Sequence, residues 1–121
     1  MSNFKKLLVW SKAVSFVIVI YKVLSEFPQS ELYGLTSQIK KSAISIPSNI
    51  AEGSSNRSVK EFDRFLCIAL GSSFELETQL IIAFNLEFIN EHTHSALNEK
   101  LGEIQKMIVS FQKTLNKTKN L

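Results

Sequence analysis

The chain has 121 residues, enough for one domain with a real core and too few for two. Apolar residues make up 45% and charged residues 21%, which excludes a disordered chain. The formal charge of +3 excludes a strongly cationic protein, although it is unevenly spread: residues 1–60 hold eight Lys/Arg against three acids, and residues 61–121 hold six against eight.

Four glycines and two prolines punctuate the chain, so breaks are few and the elements are long, which favours helices. The first predicted helix spans residues 7–27 and stops before Pro28. Val9, Trp10, Ala13, Val14, Val17, Ile20, Tyr21 and Leu24 form its stripe. Phe16, Ile18, Val19 and Val23 fill most of the opposite face, so this helix needs cover on more than one side. In so small a domain that cover points to a second chain, with Trp10, Phe16, Val19 and Val23 as the expected oligomer contacts. The run "VIVIY" also suits a buried strand by propensity, but its length and 3–4 spacing favour helix. Lys12 and Lys22 bracket only nine residues, far short of the roughly twenty that span a bilayer, so no membrane role is expected.

The second predicted helix covers residues 31–53, with Ser30 as N-cap and Gly53 as a left-handed C-terminal cap. Leu32, Leu35, Ile39, Ser42/Ala43, Ile46, Ile50 and Gly53 form its seam. Pro47 cannot donate to the Ala43 carbonyl, so a kink is expected there, with Ser45 and Ser48 placed to satisfy the freed groups. Beyond it Ser45, Asn49 and Glu52 share a polar face, read as fixing the following turn in preference to binding a ligand. The third helix, residues 59–88, opens on a capping box of Ser58 and Glu61. Gly71 in "ALGSS" costs about 1 kcal/mol relative to alanine, so a close backbone approach is expected there. The fourth helix, residues 95–117, carries Leu97, Leu101, Ile104, Ile108, Phe111 and Leu115 in heptad spacing. Short connections make these an all-α, antiparallel up-and-down four-helix bundle, one domain over residues 1–121.

Chemistry is sparse. Cys67 is the single cysteine; it is read as a small buried core residue, and no intrachain disulfide is possible. With no signal peptide either, the expected compartment is the cytoplasm. His92 and His94 sit two apart beside Glu91 in a predicted solvated loop, not at a metal site. Glu75 and Glu77 flank a core position and need only face solvent. No nucleophile has a base beside it, so no enzyme, metal or cofactor is expected. The better lead is basic: Lys40, Lys41, Arg57, Lys60 and Arg64 line the hairpin of helices two and three over some 18 Å. On one face they would contact several phosphates, although Glu52, Glu61 and Asp63 are interspersed.

The stretches "FKKLLVWSKAVSF", "SIPSNIAEG", the Arg-Ser-x-Lys-Glu-Phe run at 57–62 and "ALGSSFELETQL" resemble a bacterial four-helix-bundle family. Its members include proteins encoded by intervening sequences in large-subunit ribosomal RNA genes, and accessory variability proteins of retroelements are related to it. By position, its signature residues here are Gln38, Ser45, Pro47, Asn49, Glu52, Gly53, Arg57, Ser58, Glu75 and Gln79, with a mainly structural role expected. The resemblance implies a homopentameric ring and a role in binding RNA or DNA. The alternative is a structural or adaptor ring whose partner is a protein.

Overall fold

Apolar residues at three- and four-residue steps build four helices in the computed structural model, which describes residues 3–56 and 58–119. They are α1 (Leu8–Leu24), α2 (Leu35–Ser54), α3 (Val59–Asn85) and α4 (Glu91–Lys119), with short 3-10 turns at Phe4–Lys6 and Gln29–Glu31. No strand occurs among the described residues. Each helix touches the next, and α1 also touches α4, while neither diagonal pair meets. That is a square, all-α four-helix bundle. Lys12 reaches Glu103, and Phe27 meets Phe88 and Phe62 meets Phe111 with tilted rings, which fixes the antiparallel order. One end holds the α2–α3 turn, the start of α1 and the end of α4; the other holds the α1–α2 and α3–α4 connections.

An apolar core runs the length of the bundle, from Val9, Ile50 and Phe62 at the first end to Leu24, Ile39 and Ala83 at the second, with Thr36, Ser42, Ser54, Ser73 and Gln79 buried beside it. Burying each such side chain contributes about 1.5–3 kcal/mol, and this burial holds the bundle together far more than helix propensity does.

The helix ends differ from the sequence expectation for local reasons. α1 stops at Leu24 because the next amides tighten into i→i+3 bonds, Glu26 N–H to Val23 and Phe27 N–H to Leu24. Ser30 does not cap α2. It lies in the 3-10 turn, and the Glu31 carboxylate accepts the Leu35 N–H at 3.2 Å instead. α4 starts at Glu91, four residues early, because Asn90 accepts the Thr93 N–H at 2.8 Å. His92 and His94 therefore stand on a helix and not in a loop, with His94 stacked on Phe84 at 4.6 Å. Ser58 caps α3 as expected, accepting the Glu61 N–H at 3.2 Å.

Two glycines have other reasons than those expected. Gly53 is helical, with no positive φ. A Cβ there would lie 2.7 Å from the Phe65 Cβ, so its role is the close approach of α2 to α3. Gly71 shows the reverse: it is exposed and a Cβ would meet nothing within 4 Å. Pro47 lies buried inside α2, which continues on both sides of it.

Candidate nucleic-acid interface and assembly surfaces

Most of the signature residues gather along the α2–α3 hairpin. The Ser42 hydroxyl donates to Glu75 Oε1 at 2.6 Å, and the Ser45 and Ser72 hydroxyls share a bond of 2.7 Å. Asn49 Nδ2 donates to the Ser45 carbonyl at 2.7 Å and to the Ser45 hydroxyl at 2.9 Å. Ser45 thus crosses to α3, and Asn49 turns back into α2 without reaching the turn. Continued along the helices, this pairing sets Gln38 level with Gln79; Gln38 is exposed, whereas Gln79 is 9% exposed with Oε1 unpartnered. At the turn the Glu52 carbonyl accepts from Ser55 and Asn56 side chains. Ser42, Ser45, Asn49, Ser72 and Glu75 are spent on one another, so this part of the seam serves to set helix register. Ser42 stands on the predicted seam of the second helix, whereas Ser72 carries no mark in the sequence beyond lying three residues from Glu75.

The four described basic positions do not converge. The Lys40 ammonium sits 5.0 Å from the Tyr21 ring on the α1 side. Arg64 pairs with Glu61 at 3.2 Å and lies 4.6 Å from the Phe65 ring. Lys41 is exposed midway along α2, and Lys60 is exposed at the turn. Arg57 lies outside the described residues. The antiparallel order instead gathers other cations at the turn: Lys5, Lys6, Lys113 and Lys117 are exposed at the same end as Lys60 and Arg64. Sequence reasoning missed these four because they lie far apart along the chain; folding the predicted helices antiparallel brings the start of α1 to the end of α4. The opposite end carries Glu26, Glu31, Glu87 and Glu91, so charge is polarised along the bundle axis.

Two apolar patches face outward. One joins α1 and α2 through Val17, Ile18, Tyr21 and Ile44, with Ile18 53% exposed. The other joins α3 and α4 through Leu70, Phe74 and Val109, with Phe74 52% exposed and Lys106 and Lys113 on its rim. In the square bundle the α1–α2 and α3–α4 faces are opposite. Of the expected oligomer contacts, Phe16 is 3% exposed and belongs to the core. Trp10, Val19 and Val23 are half-buried against it. The apolar surface of α1 lies instead at Leu8, Ile18 and Tyr21. α3 reaches a mean hydropathy of 1.4, which by length and composition alone suits a membrane span, but Phe62, Leu66, Leu76 and Leu80 bury one stripe of it in the core.

Cys67 is exposed, not buried, and its sulfur accepts from Gln112 Nε2 at 3.2 Å; the buried stripe of α3 passes to either side of it, through Leu66 and Ala69. Among the described residues no three His, Cys, Asp or Glu side chains gather as a metal site. Glu103 is held below the ordinary carboxylate value of 4.5, first by its hydrogen bond and then by its charge pairing with Lys12.

The family model of the 23S rRNA-intervening sequence protein matches residues 5–110. Among solved structures, a Bacteroides thetaiotaomicron protein of unknown function from the S23 ribosomal protein family is similar, at 27% identity and a TM-score of 0.82. That match covers 88% of this chain and 99% of the other. No curated protein matches the chain.

Proposed function

Starting from a chain that belongs to the 23S rRNA-intervening sequence protein family, we propose a non-enzymatic protein that closes into a homo-oligomeric ring and binds RNA on its basic end. The observation that carries the ring is the pair of apolar patches on opposite faces of one bundle. An isologous dimer buries one self-complementary patch, whereas patches on opposite faces favour a heterologous contact, which closes into a ring when the rotation allows. Five members are the number the family resemblance implies.

The polarised bundle supplies the second half of the reading. In a ring whose bundle axes follow the symmetry axis, every Lys5, Lys6, Lys60, Lys113 and Lys117 comes to one face. Each protomer alone offers a weak patch diluted by Glu52, Glu61 and Asp63. Ring symmetry multiplies it, and avidity rises without any new contact. Such a face reads phosphate and shape, not base sequence.

Light scattering tests the ring, which a stable monomer would exclude. RNA titration at several salt concentrations tests the second half. Affinity should fall steeply with salt. Lys60→Ala and Lys117→Ala should each make that dependence shallower, by about one unit of slope for every phosphate no longer neutralised. No binding at low salt would leave a ring that serves a protein partner.

A further inference from the structure

The end of the bundle formed by residues 25–34 and 86–90 breaks local preferences at several positions. Glu87 is the sole non-glycine residue with positive φ among those described, at 65°, in the slot after a helix where glycine is favoured. Phe88 N–H bonds the Ala83 carbonyl at 2.9 Å across it. The residue also sets a negative charge beside the carbonyl end of α3, which favours a positive one. Tyr33 is 94% exposed, Leu86 54%, and Leu32 is exposed beside Tyr33. The tilted contact of Phe27 with Phe88 at 5.5 Å ties the two connections together. Glu26, Glu31, Glu87 and Glu91 lie in or beside these two connections, against Lys22 and Lys40, the latter lining the same surface as Leu32. A non-glycine residue held at positive φ costs stability locally, and such costs mark sites kept for contact.

We propose that this acidic end is a docking surface for the basic end of a second copy of the chain, so that copies stack end to end. Complementary charge on the same molecule selects that occupant: Lys5, Lys6, Lys60, Lys113 and Lys117 stand exposed at the opposite end. Tyr33 is the anchor, an aromatic of the type that dominates interface energies when desolvated, and the charges set orientation and encounter rate. The proposal stands apart from ring closure, since it uses the ends of the bundle and not its sides.

Sedimentation velocity on the full chain, at about 20 mM and about 300 mM salt, provides the test, because screening shortens the range of these charges. At low salt a concentration-dependent species of at least twice the high-salt mass is expected, and it disappears at high salt. Glu87→Gly should raise the melting temperature yet weaken the association, separating docking from folding. The double variant Glu87→Lys/Glu91→Lys should weaken association ~tenfold or more, as should Lys60→Glu/Lys117→Glu. Mixing the two charge-reversed proteins should restore it. The same mass at both salt concentrations overturns the proposal, as does association that persists in Tyr33→Ser/Glu87→Lys. Binding to poly-lysine without self-association overturns the second copy as occupant.

Discussion

Gly53 and Gly71 make opposite demands. An alanine Cβ at 53 would press on Phe65 at 2.7 Å and Phe62 at 3.0 Å, so Gly53→Ala should cost about 1–3 kcal/mol through overpacking. Gly71→Ala enters open space and should gain about 1 kcal/mol from helix propensity. Urea midpoints at constant slope give both values. Sequence showed both glycines but not their reasons: a helix-ending glycine and a close-packed one look alike until the partner helix is placed. Glu103 gives a prediction in pH. Its pKa is lowered by Lys12, so the pair stabilises the fold above the unfolded carboxylate value and loses that effect as pH falls through the lowered one. Wild type and Glu103→Gln should therefore differ in melting temperature near neutrality and converge in acid. Both side chains are well exposed, at 42% and 52%, so the difference should be small and shrink with added salt.

Among the elements, α2 and α3 form the closest pair. Their seam joins Ser42 to Glu75 and Ser45 to Ser72, with Asn49 bracing Ser45. Ser45→Ala and Asn49→Ala should each cost about 1 kcal/mol. The double variant should cost less than their sum, since both remove the same bond. The α1–α4 side is looser, with the exposed Lys12–Glu103 pair over a cleft of about 220 Å³ lined by Ser15, Val19 and Lys100. Amides of α1 should accordingly exchange before those of α2 and α3. The helices were legible because their apolar stripes are long and regular. Their ends were less so: the cap at Asn90 and the Glu31 bond to Leu35 depend on side chains folding back on the chain. The seam was legible as a set of residues, but its pairings needed the antiparallel register.

At the scale of the whole molecule, the two apolar faces make a prediction that separates a ring from a two-fold dimer. Ile18→Glu should spoil the α1–α2 face and Phe74→Glu the α3–α4 face, each arresting assembly. Mixed together, the two variants retain one intact interface between them and should form a dimer and nothing larger; full assembly on mixing would contradict the head-to-tail contact. The basic end should also choose between occupants. If RNA and the acidic end of another copy use the same lysines, added RNA should dissolve low-salt stacks. The basic surface was only partly legible in sequence, because Lys5 and Lys117 become neighbours of Lys60 through topology and not through spacing. Cys67, exposed on α3, is the chain's single thiol. A maleimide dye therefore marks each protomer once, and the bleaching steps of one assembled particle count its subunits directly.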